Sequence, residues 1–152
     1  MDPTISIQTA GWRDLTALRQ LEQVCFPKDA WPLWDLIAVL TFPDIVRIKA
    51  VNGEKMVGFI AGDIRRSEDV GWVTTVGVLP DYRQRGIASA LLDRCEAQMG
   101  MPRVRLCVRR SNTEAIHLYY QRGYSQVSVW NRYYHDGEDA LVLEKRIDTE
   151  QP

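Results

Sequence analysis

Residues 82–98 read YRQRGIASALLDRCEAQ, and the two halves of this stretch obey different rules. From Ala88 onward, Leu91, Leu92 and Cys95, with Met99 just beyond, recur at helical spacing and mark an amphipathic helix facing a core. Ahead of it, Arg83, Gln84, Arg85 and Gly86 put side-chain donors and a residue without Cβ at the start of that helix. Unpaired backbone N–H groups already give that end a partial positive charge, so an anion from outside the chain is expected there. A strand over 71–79, GWVTTVGVL, runs directly into the stretch. Strand, then Arg83-x-x-Gly86-x-Ala88, then helix is a phosphate-binding arrangement, in which successive N–H groups converge and small residues admit a ligand to the backbone. A nucleoside-triphosphate loop, G-x-x-x-x-G-K-[ST], and a dinucleotide loop, G-x-G-x-x-G, are both absent. Alone, the hexapeptide is equally compatible with a glycine turn flanked by solvated arginines.

Length and charge narrow the ligand. At 152 residues the chain supports one substantial core, and 1–152 is read as a single domain. The net charge of −1 provides no overall field for nucleic acid or an anionic membrane, and neither is expected as a partner. Charge is instead local: seven arginines face only Asp93 and Glu96 between Arg83 and Arg110, whereas the tail from Asp136 is mostly acidic. That distribution suits a small anion. Cys25, Cys95 and Cys107 lie far apart, with no C-x-x-C pair and no histidine near them, so reduced thiols, no metal site and a cytoplasmic setting are expected. No run approaches the ~20 apolar residues of a membrane span.

The remaining pattern reads as strand 4–8, a helix through Leu15, Leu18 and Leu21 broken at Pro27 and Pro32, and a second helix from Leu33 to Thr41. IVRIKAV and MVGFIAGDI flank Asn52-Gly53 as a hairpin. After the Gly86 helix come strand RVRLCVR, a helix closed by Gly123, and strands SQVSVWNRYY and ALVLEKRI around a turn at Asp136-Gly137. The order β-α-α-β-β-β-α-β-α-β-β places one parallel crossover in a mixed, largely antiparallel sheet of about seven strands, an α/β (α+β) fold.

From VTTVGVLPDYRQRGIASALL (73–92) through LCVRRSNTEAIHLYYQRGY (106–124) the chain resembles the GNAT superfamily of acyl-CoA N-acyltransferases, whose phosphate loop reads Q/R-x-x-G-x-G/A. The segment around Phe26 and the stretch RYYHDGEDALVLEK (132–145) are similar to its RimI-like branch, which acetylates the α-amine of protein N-termini. The resemblance implies the GNAT fold, with helices on both faces of the sheet and the fourth and fifth strands splayed. It implies that the diphosphate of acetyl-CoA lies on the backbone of Gln84, Arg85, Gly86, Ile87, Ala88 and Ser89, with Arg83 or Arg85 reaching a phosphate. The pantetheine arm would pair with Val76 and Val78, and Gly77 between them would form a bulge that opens the slot. Asn112 matches the family residue that bonds the cofactor from the other side, and Ser111-x-x-Glu114 is also a capping box. Tyr119 matches the tyrosine that protonates the leaving thiolate. Phe26, Trp31, Trp34, Tyr133 and Tyr134 are candidate walls of an acceptor groove. His117, about 200° around its helix from Tyr119, and His135 read as surface residues, and the other arginines as a solvated face.

Aminolysis of a thioester needs a neutral amine, a polarised carbonyl and a protonated sulfur. The N–H of Val78 would hold the carbonyl oxygen and Tyr119 would supply the proton, without a metal. The base is less obvious, because Cys107 stands where many RimI-like enzymes carry glutamate. An α-amine with pKa near about 7.8 is roughly one-seventh neutral at pH 7, a cost of about 1 kcal/mol, against nearly 5 kcal/mol for lysine at about 10.4. The missing glutamate is therefore tolerable for an α-amine, with water relayed to Glu22 or Asp29. The expected acceptor is a peptide or protein N-terminus, a ribosomal protein among the candidates, and the protein a monomer or homodimer. A small-molecule amine as acceptor, or a non-catalytic acyl-CoA-binding module, are the alternative readings.

Overall fold

The computed structural model describes residues 2–147. Strand β1 (Ile5–Thr9) precedes helices α1 (Leu15–Cys25) and α2 (Leu33–Thr41), which stop ahead of Pro27 and Pro43 because proline cannot continue a helix. Strands β2 (Ile45–Asn52) and β3 (Lys55–Arg65) form the hairpin. Its two turn residues are Gly53 and Glu54, since Asn52 still pairs with Lys55, and Gly53 supplies the positive φ of 63°. Strand β4 (Val70–Val78), helix α3 (Ile87–Met99) and strand β5 (Arg103–Arg109) make the crossover. Helix α4 (Thr113–Gln121) then leads into β6 (Ser125–Trp130) and β7 (Ala140–Arg146).

All seven strands join one sheet in the order β1-β2-β3-β4-β5-β7-β6. Every neighbouring pair is antiparallel except β4 with β5. One core lies under α3, where Leu91, Leu92 and Cys95 meet Val57, Ile60 and Val104 and where Tyr119 of α4 is buried. The second lies under α1 and α2, where Leu18, Leu21 and Leu36 meet Phe59 and Ala61. Each face of the sheet is thus covered by helices. None of the helices among the described residues is long and apolar enough to cross a membrane.

The β2–β3 turn falls one residue later than the Asn52-Gly53 expected from sequence, and three further features differ from that expectation. The bulge in β4 is at Thr74, not Gly77: Ala61 pairs with Thr75 and Gly62 with Val73, leaving Thr74 unpaired while its Oγ1 donates to Ala61 O at 3.2 Å. Gly77 serves packing instead, since a Cβ there would stand 3.2 Å from Phe26 and 3.3 Å from Cys25 and Leu21 at the end of α1. The helix cap is Asn112 rather than Ser111, its Oδ1 accepting from Ala115 N at 3.3 Å. Strand β6 ends at Trp130, so Tyr133 and Tyr134 belong to the loop before β7.

Candidate active site

The bulge decides where the sheet opens. The parallel ladder runs only from Val70 with Arg103 to Val73 with Leu106, and past Thr74 the two strands part. Leu79 N donates to Val57 O at 2.9 Å, so Gly77 faces β3 in the alternation of antiparallel pairing. The polar backbone groups of Val76 and Val78 therefore face the gap.

Two cavities meet there. The larger, about 640 Å³, runs between α3 and α4 and is lined by Val76, Gly77 and Val78, by Arg83 and Gln84, and by Gly86 to Ser89. The smaller, about 210 Å³, fills the gap between β4 and β5 and is lined by Glu22, Trp31, Thr75, Cys107 and Tyr134 among others. Phe26, Asp29, Val76, Arg109, Asn112, Ala115 and Tyr119 border both.

At the start of α3 the chain forms a nest. Gln84 and Gly86 take left-handed conformations, φ 62° and 83°, which turns neighbouring N–H groups toward one side. Among the described residues no group accepts from the backbone N–H of any residue from Gln84 to Ser89; the first helical bond is Ala90 N to Gly86 O at 3.0 Å. Consecutive unpaired donors at a helix N-terminus, opening on a cleft, fit a diphosphate. The two arginine side chains behave differently from each other. Arg83 Nε donates to Val78 O at 2.9 Å, inside the slot, and Cys25 Sγ lies 3.4 Å from the same oxygen. Arg85 stacks over Tyr82 at 5.0 Å and bonds Asp81 O and Asp2, away from the cleft lining.

Tyr119 is 7% exposed and packs edge-on to Tyr124 at 5.8 Å. Its hydroxyl has no hydrogen-bond partner among the described residues, and its oxygen reaches the cavity surface. Burial raises its pKa, keeping the phenol protonated. Asn112 borders both cavities, with its oxygen engaged in the α4 cap and its amide N–H groups donating to no group among the described residues. Burial pushes the Cys107 thiol up to about 11, so it is a neutral thiol at physiological pH.

On the acceptor side, Phe26, Trp31 and Tyr134 line the gap. Tyr133 does not: 55% exposed, it packs against Trp130 and edge-on to Tyr134. Trp34 is 78% exposed on α2, outside both cavities. His117 lines the α3–α4 end of the larger cavity from the exposed side of its helix.

Arg109, read from sequence as solvated, is the organising cation. It donates to Asp29 through Nε and Nη2 at 2.9 and 2.8 Å, and through Nη1 to Asp136 at 3.0 Å and Glu138 at 2.7 Å. Its guanidinium lies 4.1 Å from the Tyr134 ring centre. One side chain of β5 thereby ties the α1–α2 loop to the β6–β7 loop, and its pKa rises because three carboxylates surround it. The acidic run after Tyr134 was the signal that a cation must answer it. Ser111, together with the same guanidinium, holds Glu138 below the usual carboxylate range.

A helix-start nest for a diphosphate, joined to a slot between parted strands and a buried phenol, defines a transferase that uses a nucleotide-bearing acyl carrier. The model of the Acetyltransferase (GNAT) family matches residues 15–124, and the chain belongs to that family of acetyltransferases. Acetyl-CoA is the acyl donor of this family of acetyltransferases. The chain is 29% identical over 154 residues, spanning 97% of its length and 80% of the relative's, to the N-terminal acetyltransferase A complex catalytic subunit NAA10 of Arabidopsis thaliana. Its structure superposes on the ribosomal-protein-S18-alanine N-acetyltransferase of Escherichia coli with a TM-score of 0.87 at 25% identity, covering 97% of this chain and 96% of that one. Arabidopsis thaliana Naa50 in complex with the bisubstrate analogue CoA-Ac-MVNAL gives 0.79 at 26% identity, covering 95% and 99%.

Proposed function

We propose that this acetyltransferase modifies the α-amine of a protein or peptide N-terminus. The observation that carries the reading is the meeting of the two cavities at Tyr119 and Asn112 in the gap between β4 and β5. A donor lying in the larger cavity delivers its acyl group to an acceptor entering through the smaller. The relatives above named as N-terminal acetyltransferases, and the Naa50 complex whose analogue joins CoA to the peptide MVNAL, support the same direction. The E. coli neighbour is named for the alanine of ribosomal protein S18, which makes a ribosomal protein one acceptor worth presenting to this enzyme.

In this mechanism the nest from Gln84 to Ser89 fixes the donor's diphosphate, and the amide of Asn112 holds it from the side of α4. The N–H of Val78 faces the gap, where it holds the carbonyl oxygen as negative charge grows. Tyr119 gives its proton to the departing sulfur. The groove is walled by aromatics, and of its two carboxylates Asp29 is neutralised by Arg109, which suits a single terminal amine better than a polyamine.

Incubation with acetyl-CoA and a peptide library varied at the first residues, analysed by mass and fragmentation, tests the reading. One acetyl group on residue 1 is the expected product. Faster modification of internal lysines, or tight binding of coenzyme A with no turnover on any peptide, would overturn it.

A further inference from the structure

Among the described residues three acidic side chains are buried: Glu22, Glu96 and Glu144. Two have cations. Lys145 Nζ bonds Glu96 at 2.9 Å, and Arg105 Nε bonds Glu144 at 2.6 Å. Glu22 has none among the described residues. It is 2% exposed on the sheet-facing side of α1, with Oε2 accepting from Thr75 Oγ1 at 2.9 Å. A carboxylate withdrawn from water with no counter-charge is unfavourable for the fold, and such groups mark chemistry more often than architecture. This one borders the acceptor cavity.

The other titratable groups bordering that cavity are Asp29, Cys107, Arg109, Tyr119 and Tyr134. Asp29 is bound bidentately by Arg109, which itself stays protonated. Burial keeps Cys107 a thiol, and both tyrosines are pushed up, Tyr134 to about 12. Cys25, a turn further along α1, is likewise raised, chiefly by burial. Glu22 is left as the one carboxylate bordering that cavity that no cation holds among the described residues.

We infer that the Glu22 carboxylate accepts the proton the acceptor's α-ammonium must lose before it attacks, directly or across one water. The inference rests on the acetyl-transfer reading above. Of the three protons on the ammonium nitrogen, the first passes to Glu22 and then to solvent. As the C–N bond forms and the C–S bond breaks, the sulfur takes the Tyr119 proton and the nitrogen's second proton restores the phenol. The third stays on the amide product. Burial raises the carboxyl pKa, which brings it closer to the α-amine value of about 7.8 and makes the first transfer less uphill. Thr75 follows the bulge residue, so the irregularity that parts the strands also places the carboxylate's hydrogen-bond donor.

The test is Glu22→Gln, which keeps the shape and the oxygen that accepts from Thr75 but cannot hold a proton. On a peptide with a free α-amine, kcat/KM at pH 7 should fall about 7-fold, to the rate set by the roughly one-seventh of N-termini already neutral. The deficit should shrink as pH rises and the amine deprotonates unaided, log kcat/KM climbing about one unit per pH unit up to the amine's own pKa. Calorimetry should find acetyl-CoA affinity unchanged, and the melting temperature at pH 7 should rise because the uncompensated charge is gone. Glu22→Asp, which retains a carboxyl group, should keep the wild-type shape of the pH profile. A Glu22→Gln rate within about 3-fold of wild type, or a loss of equal size at every pH, would overturn the inference. Failure of the wild-type protein to bind acetyl-CoA would instead sink the acetyl-transfer reading, and this inference with it.

Discussion

Tyr119 is held through its ring and left free at its oxygen, which separates its packing from its chemistry. Phenylalanine at this position preserves the edge-on contact with Tyr124 and removes only the proton. Tyr119→Phe should lower kcat by about 100- to 10,000-fold while leaving acetyl-CoA affinity within about 2-fold, measured by steady-state kinetics and calorimetry. Cys107 predicts the opposite outcome. With its thiol pushed up to about 11 it is not a nucleophile at pH 7, so Cys107→Ala should keep kcat within about 3-fold of wild type. Double-reciprocal plots should intersect; parallel lines would indicate an acyl-thiol intermediate instead. Tyr119 and Asn112 stand out in sequence because RRSN and the helix after it resemble the family's motif. Arg109 does not, since a charged residue in an alternating strand looks the same whether it meets water or three carboxylates from distant loops.

At the scale of elements, helices and strands were legible wherever a local rule sets their ends. Helix α2 starts after Pro32 and stops before Pro43, and β5 follows its alternation of charged and apolar residues. The bulge was misplaced because glycine is the residue that local reasoning offers for irregular backbone, whereas Thr74 carries it by bonding its own hydroxyl across to Ala61. Gly86 does hold a left-handed conformation, so Gly86→Ala should destabilise the protein by about 1–2 kcal/mol in urea unfolding and weaken acetyl-CoA binding as the nest relaxes. The Arg109 cluster acts on two loops at once. Arg109→Met should raise the peptide KM about ten-fold with little change in acetyl-CoA affinity, because the acceptor walls lose their tie and the nest does not. Asp136 and Glu138 titrate below their ordinary values, the first through the Glu138 N–H and Arg109, the second through Ser111 and Arg109. Depressed carboxylates stabilise above their unfolded pKa, near about 4, and that contribution disappears as pH falls through the folded values. Acid titration of Arg109→Met followed by circular dichroism should therefore show a smaller stability loss below pH of about 4 than wild type.

The whole molecule is built around one weak line. On one side lie β1 to β4 with α1 and α2; on the other lie β5, β7 and β6 with α4. Element order made the parallel crossover readable and the family resemblance the parting of its strands, but the placing of β7 next to β5, with β6 outermost, depends on long-range packing that no local pattern encodes. The nest and Asn112 stand on opposite sides of the line, so a donor held as proposed above would span it. At a ligand concentration 100 times Kd, linkage adds about 2.7 kcal/mol, which for a chain of this size is roughly 5–10 °C in a thermal melt. Only the rungs from Val70 to Val73 knit the parallel seam. The empty enzyme should therefore breathe along it, its seam amides trading hydrogen for deuterium as one cooperative group, and each turnover would stitch the halves shut and let them loosen again as product departs.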